Sequence, residues 1–423
     1  MGGTGETSVA RSTTTFNERL GNRLGEKRRI LSPRTTVAVA RPAPHSITVT
    51  WADGQTSRFS TRWLRFNCFC VACGTSDDGI RSIDIMSVPD GISPARVDLT
   101  SANTVDIDWT DGHVSTFGGE WLRAYCNAPE ERSRRRAWTP ELWKSDLIER
   151  LPRATYSEVA INDEARLAMF EHVRDLGFVM IDGVGPDPEL TEPVAAMFGP
   201  IHSTSNYGYI SDVQSKPVAK LGGETAIHQH PHSDDTFQYS PPGIVIFHCI
   251  QNNDDIGGVS SYVDGFAVAA DLRSSEPEAF DLLSSVPVQF VRRRPGHFDI
   301  RAEGRVIRLD DHGRIAGIRY FDRAAAPLDV EEGLVDAMLS AQSKFLERVV
   351  SPEFKMDMKL SAGTVIVVDN HRVMHGRSAF DQQSERRLRT CTTDRDEFHG
   401  YWRDLANRLG RDDYDLVMTS GAI

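Results

Sequence analysis

Two segments of this chain repeat one another, and a duplication of this kind dictates a paired scaffold before any other feature is weighed. WADGQTSRFSTRWLRFNC, Trp51 to Cys68, matches WTDGHVSTFGGEWLRAYC, Trp109 to Cys126, at a constant offset of 58. Trp, Asp-Gly, Phe, Trp-Leu-Arg and Cys coincide. Each copy follows an alternating run, ITVTW or VDIDW, so period-two strands leading into an Asp-Gly turn are expected twice over. Residues 45–130 are therefore read as a small β-rich domain assembled from two repeats.

The copies differ where chemistry is concerned. Gln55 in the first corresponds to His113 in the second, and only the first continues into Cys68, Cys70 and Cys73. Six cysteines are few for 423 residues, and three crowded together in a reducing compartment read as metal ligation before disulfides. Cys68, Cys70, Cys73 and His113 suit a closed tetrahedral Zn²⁺ site of structural purpose, since thiolate and imidazole are its usual ligands. The alternative is a cluster of reduced, buried thiols, with Cys126 as the spare thiol equivalent to Cys68. Cys249 and Cys391 stand in apolar, strand-like surroundings and are expected in a core.

Residues 1–44, rich in Thr, Ser, Gly and Arg, are expected to form a tail with a short helix over NERLGNRLGEKRR, and the charged stretch 131–154 a linker. The larger domain then spans 155–423. Helix-like INDEARLAMFEHVRDLG and LDVEEGLVDAMLSAQSKFLERVV flank strand-like PGIVIFHCI and GTVIVVD, an α+β, mainly β pattern with a barrel or sandwich core covered by helices. The formal charge of −12 lacks the basic footprint of a nucleic-acid binder and points to a small-molecule partner. No run approaches the roughly 18 apolar residues of a membrane helix, the start lacks a signal-peptide core, and Glu6 stands where a myristoylation signal needs Ser or Thr. A cytoplasmic protein without a membrane partner is expected.

His232-Ser233-Asp234 is a His-x-Asp element, and on a strand the period of two would turn both side chains to one face. Downstream, GTVIVVDNHRVMHGRSAF offers an apolar strand, a turn, and then His371 and His375 as candidates for a third ligand. Two His and one carboxylate on one face of an octahedron leave positions open for cosubstrate and O₂ in non-haem Fe(II) oxygenases. The carboxylate at Asp234 argues against a halogenase, which leaves that position to chloride. His-x-Asp alone recurs by chance in many proteins, but the basic run SERRLRTCTTDRD supplies what a 2-oxoglutarate site requires. Its Arg386 is the candidate fork for the far carboxylate.

Further motifs stand in order along the chain: Trp-Leu-Arg-x-Asn-Cys-x-Cys-x-x-Cys at 63–73, His-x-Asp at 232–234, Pro-Pro-Gly at 241–243, His-Cys at 248–249, Gly-Gly-x-Ser at 257–260, Val-Asp-Gly-Phe at 263–266 and Asp-Asn-x-Arg-Val-x-His-Gly-Arg at 369–377. From about residue 45 to 410 the chain thereby resembles the γ-butyrobetaine and trimethyllysine hydroxylase branch of the TauD/TfdA-like dioxygenases. The resemblance implies a double-stranded β-helix, or jelly roll, with flanking helices, a zinc-binding amino-terminal domain using the four residues above, and a homodimer. It makes His375 rather than His371 the distal iron ligand and sets Ser260 beside Arg386 as a hydroxyl partner of 2-oxoglutarate; the other reading of Ser260 is a turn residue.

Hydroxylases of this branch hold a trimethylammonium group in an aromatic cage. Tyr207 takes one cage position, but Ser211 and Asp235 stand where bulky aromatics are expected and Glu224 where a tyrosine is. Asp235 and Glu224 pair instead with an amine or guanidinium, or are hydrated surface acids. His228 and His230 either share a strand face with His232 or lie in a solvated loop. The reaction implied is oxidation of an unactivated C–H bond of a small polar, amino-acid- or betaine-like molecule, with O₂ consumed and succinate and CO₂ released. The rivals are a catalytically silent jelly-roll binding or sensor protein and an Fe(II) enzyme that dispenses with 2-oxoglutarate.

Overall fold

The computed structural model describes residues 32–74, 80–204, 207–214, 225–252, 257–381 and 386–411. They divide into compact units, one reaching Trp138 and the next spanning Thr139–Ala406. The helix expected over NERLGNRLGEKRR lies outside the described residues.

The first unit realises the repeat twice. β1 (Val37–Ala43), β2 (Ser46–Trp51) and β3 (Thr56–Ser60) form one antiparallel sheet that runs into helix α1 (Thr61–Phe66). β4 (Pro94–Leu99), β5 (Thr104–Trp109) and β6 (Val114–Gly118) form the second, followed by α2 (Gly119–Tyr125) and α3 (Pro129–Arg135). The turns between β2 and β3 and between β5 and β6 need Gly54 at φ 87° and Gly112 at φ 82°, which explains the recurrent Asp-Gly. Ile47, Val49, Trp51, Phe59 and Leu64 are buried in one cluster with their equivalents Val105, Ile107, Trp109, Phe117 and Leu122. The boundary at 44 differs from the structure: β1 begins at Val37, because its backbone completes a sheet edge that the mixed VAVARPA pattern does not advertise.

The copies exchange arginines. Arg65 of the first Trp-Leu-Arg donates through Nε to Asp111 of the second Asp-Gly at 3.0 Å, and Arg123 of the second donates to Asp53 of the first at 3.0 Å. Arg65 also contacts Cys73 Sγ at 3.4 Å, and at the equivalent place Arg123 donates to Glu131 at 2.8 Å. Glu131 occupies the position of Cys73 at the same offset, so one half carries the Cys-His cluster and the other a buried carboxylate among arginines.

In the second unit, β7 (Arg153–Thr155) and β8 (Phe178–Asp182) frame helix α4 (Asp163–Leu176), the helix expected over INDEARLAMFEHVRDLG. Then follow β9 (Ser211–Gln214), β10 (Gln229–His232), β11 (Ile244–Gln251) and β12 (Ser260–Asp264). An insertion carries α5 (Gly265–Ser275), α6 (Pro277–Ser285), the hairpins β13 (Val288–Arg294) with β14 (Phe298–Gly304) and β15 (Ile307–Leu309) with β16 (Ile315–Ile318), and α7 (Val335–Val350). β17 (Met356–Met358), β18 (Val365–Asp369), β19 (Val373–Arg377) and β20 (Arg387–Thr393) complete the unit's strands. One sheet has the order β7-β8-β18-β11-β20-β9 and the facing one β10-β19-β12-β17. The chain passes from one sheet to the other at β9 to β12 and again at β17 to β20, which is the winding of a double-stranded β-helix. Phe178, Val245, Phe247, Ile366 and Val368 of the larger sheet pack with Tyr262, Met356 and Val373 of the smaller. The stretch expected as a linker is ordered: Trp143 is 2 % exposed, its indole N–H donates to Leu176 O at 2.7 Å, and β7 pairs with β8.

Burial opposes ionisation of Glu131, but hydrogen bonds from Arg34, Arg123 and Arg134 outweigh it and hold the carboxyl at about 2. A folded-state value below the ordinary carboxylate range means that this stabilisation is complete above that range and disappears as pH falls towards 2. Glu131→Gln removes one of the two carboxylates that face the buried Arg123, leaving Asp53, and is expected to cost about 2 kcal/mol at neutral pH. Denaturant unfolding of the full chain should show that loss together with a weaker acid dependence than the parent has.

Candidate active site

The iron-ligand candidates come together through strand pairing. His232 on β10 lies directly opposite His375 on β19, with ring centroids 4.9 Å apart. Asp234 reaches both: its Oδ1 is 3.5 Å from His232 Nε2 and its Oδ2 3.4 Å from His375 Nε2. Adjacent positions on an octahedron with bonds of about 2.1 Å lie about 3 Å apart, so the three donors fit a single metal ion with small adjustment. His232 Nδ1 donates to the carbonyl of His230 at 2.9 Å, which turns Nε2 towards the cluster. Phe321 stacks on His232 at 4.2 Å and Phe247 packs on His375 at 4.7 Å. Burial works against the charge on Asp234, yet the two histidines hold its carboxyl far below the usual range.

The expectation that His232 and Asp234 share a strand face is corrected here. β10 ends at His232, and Asp234 belongs to the turn that follows, where Asp235 adopts φ 53°. Asn370 fixes that turn: its Oδ1 accepts from the backbone N–H of Asp234 at 2.7 Å, and its Nδ2 donates to the carbonyls of Asp234 and Pro242. His371, the other histidine candidate, points elsewhere and meets the carbonyl of Pro241 at 3.0 Å.

His228 and His230 likewise fail to share the face of His232. Gln229 pairs with Arg377 and His232 with His375, so β10 carries one residue more than β19 over that interval. This bulge, between Gln229 and His232, inverts the alternation. Gln229 lines the cavity, while His228 and His230 bond to each other at 3.0 Å.

A cavity of about 120 Å³ opens on the three ligands. Its wall includes Arg386, Ser260, Arg377 and Tyr262. Arg386 is 2 % exposed, and a Cβ on Gly258 would stand 2.9 Å from its Cδ, so the Gly-Gly element makes room for it. Burial lowers the pKa of Arg386, and burial together with the charge of Arg386 lowers that of Arg377 to about 10. Two neighbouring buried guanidiniums of this kind favour an anion between them. Tyr207, Ser211 and Asp235 also line the cavity; Glu224 lies outside the described residues. Cys249 and Cys391 are buried, Cys391 on the cavity wall.

In the first unit, Cys68, Cys70 and Cys73 place Sγ 3.3, 3.5 and 3.4 Å from His113 Nε2. Zn–S bonds of about 2.3 Å and a Zn–N bond of about 2.0 Å in a tetrahedron demand about 3.5 Å, so the donor set fits zinc. Asp111 Oδ1 accepts from the backbone N–H of His113 at 3.0 Å while its Oδ2 accepts from Arg65, tying both sides of the cluster together. Burial raises the Cys68 thiol to about 12 and lifts that of Cys73, so metal binding must release protons and weakens as pH falls.

Residues 146–392 match the family described as taurine catabolism dioxygenase TauD, TfdA family, and residues 39–117 match gamma-butyrobetaine hydroxylase-like, N-terminal. The gamma-butyrobetaine dioxygenase of Pseudomonas sp. strain AK-1 is 33 % identical over 371 residues, 87 % of this chain and 95 % of its own length. The chain belongs to the TauD/TfdA family. The trimethyllysine dioxygenase of Meyerozyma guilliermondii is 27 % identical over 374 residues, 84 % of this chain and 92 % of its own. Among solved structures, an asparagine oxygenase in complex with Fe(II), 2S,3S-3-hydroxyasparagine and succinate covers 57 % of this chain and 93 % of its own at 16 % identity and a TM-score of 0.45. As a TauD/TfdA member the protein is a 2-oxoglutarate-dependent iron dioxygenase.

Sequence reasoning missed three contributors to this TauD/TfdA site. Asn370 and Arg377 stand inside the Asp-Asn-x-Arg-Val-x-His-Gly-Arg motif, which was the signal that could have found them; Phe321 had no signal, since it arrives from the insertion. Asn370→Ala frees the Asp234 turn and is expected to weaken Fe(II) binding 10- to 100-fold or thereabouts, read by anaerobic metal titration. Cys73→Ser is expected to abolish stoichiometric zinc in metal analysis of the purified chain while Fe(II) binding persists.

Proposed function

We propose that His232, Asp234 and His375 hold Fe(II), that Arg386 and Ser260 receive the far carboxylate of 2-oxoglutarate, and that the enzyme hydroxylates a C–H bond of a small amino-acid- or betaine-like molecule. The observation that carries this reading is the convergence of the three ligand atoms, within 4.8 Å of one another, on the same cavity that Arg386 and Ser260 line. When bound, iron and 2-oxoglutarate supply the oxidant from O₂ with release of succinate and CO₂. The chain's residues bind and orient: Asp234 stays ionised, His232 presents Nε2, and the packed Phe321 and Phe247 keep both rings in place and exclude water.

Tyr207 and Asp235 are proposed as substrate contacts, and Glu224 is proposed with them from the sequence. An acid at 235 and a serine at 211, in place of cage aromatics, favour a substrate whose cationic end is an amine or guanidinium rather than a trimethylammonium group. The cysteines are all free, as a reducing compartment such as the cytoplasm leaves them, and the family resemblance supports a homodimer.

The test is anaerobic titration with Fe(II) and 2-oxoglutarate, following the visible metal-to-ligand charge-transfer band. The wild type is expected to develop it, His375→Ala to lose it, and Arg386→Ala to need at least about tenfold more 2-oxoglutarate. Iron-loaded protein that never shows the band would favour the silent binding protein. A band indifferent to Arg386 would favour an anion site elsewhere in the cavity.

A further inference from the structure

Arg292 is a cation on the wall of this cavity that the cofactor chemistry does not use. It belongs to the run Arg292-Arg293-Arg294 on β13, where the period of two separates neighbouring side chains. Arg293 is exposed and meets Asp299 at 3.5 Å, whereas Arg292 falls on the same face as Phe290, which is 2 % exposed. Phe290 bridges to Ala325, and the N–H of Ala326 donates to Gln289 O at 2.8 Å. These bonds hold β13 alongside the segment that begins with Phe321, the ring stacked on His232. The half-buried guanidinium of Arg292 thus lines the cavity of the three iron-ligand candidates, and among the described residues it has no hydrogen bond and no ion pair.

A guanidinium drawn from water without a counter-ion is unfavourable and becomes favourable when a planar oxyanion fills its fork. Arg386, immediately before β20, and Arg377, on β19 and paired with Ser260, belong to elements separate from the β13 hairpin. The cavity therefore offers anions two addresses, and the cosubstrate takes the one at Arg386. We propose that Arg292 is a specificity-determining residue that receives an anionic head group of the substrate, a carboxylate or a sulfonate, and so sets which carbon faces the iron. This rests on reading the cavity as that of the oxygenase. With Asp235 on the same wall, the substrate class is a short zwitterion.

The test uses full-length protein loaded with Fe(II) and 2-oxoglutarate, and as probes γ-butyrobetaine, 4-aminobutyrate, 4-guanidinobutyrate, taurine and the primary amide of each carboxylate. Binding is read anaerobically by calorimetry, and turnover by succinate formed under O₂. At least one carboxylate or sulfonate is expected to bind and stimulate succinate formation, and which of the two does so identifies the head group. For a carboxylate, the amide should bind at least about tenfold more weakly. Arg292→Gln should raise the Kd and KM of the preferred probe about 10- to 100-fold with kcat at saturation and the KM for 2-oxoglutarate unchanged, and Arg292→Lys should recover part of the loss. Unchanged affinity in Arg292→Gln, equal binding of acid and amide, or no binding by any anionic probe overturns the proposal. Because calorimetry needs no charge-transfer band, absence of the band sinks the oxygenase reading separately from absence of Arg292-dependent binding.

Discussion

The site depends on the antiparallel pairing of β10 with β19. That pairing sets His232 against His375 with both rings on the cavity side, and it is possible only because Gly376 has no side chain. A Cβ there would stand 2.6 Å from the carbonyl of Gln229 and 2.7 Å from the nitrogen of Pro231, forcing the strands apart at the point where the ligands meet. The bulge between Gln229 and His232 then selects which residues of β10 look inward. Everything else adjusts to this frame: the turn clamped by Asn370 brings Asp234 to two fixed imidazoles, and Phe321 and Phe247 pack against their outer faces.

Charge in the cavity follows from the same frame. Asp234 is ionised because two histidines face it, and burial lowers the pKa of Arg377 and Arg386, with the charge of Arg386 adding to the effect on Arg377. Such an arrangement is costly in a buried wall unless ligands complete it. A divalent cation held by His232, Asp234 and His375, with an anion received by Arg386, would neutralise both regions at once, and so would couple metal and cosubstrate binding through electrostatics.

The amino-terminal unit shows how a duplication diverges without losing its scaffold. Both copies keep the buried tryptophans, the Asp-Gly turns and the exchanged arginines, since these make the shared core. What changed is the pair of positions flanking each arginine. One half has His113 and Cys73, suited to zinc; the other has Gln55 and Glu131, with the carboxylate taking hydrogen bonds from Arg34, Arg123 and Arg134. A Cys-His cluster suited to zinc and an ion-pair network thus stand at equivalent places and fasten the same two sheets.

Residue types and short-range order were legible in the chain itself: the repeat, the Cys-His set, His232, Asp234 and His375, the apolar strands β11 and β18, and the helix ahead of β8. They could be read because ligand chemistry demands particular side chains and because alternation over a few residues is a local property. Only the tertiary structure decided that Asp234 acts from a turn, that Gln229 rather than His228 or His230 faces the cavity, that β1 starts at Val37, and that Phe321 and Arg292 reach the site from an insertion. Each of these turns on a partner far away in sequence or on a single added residue in one strand. A one-residue bulge reverses every face beyond it, and no local pattern records what will pack opposite.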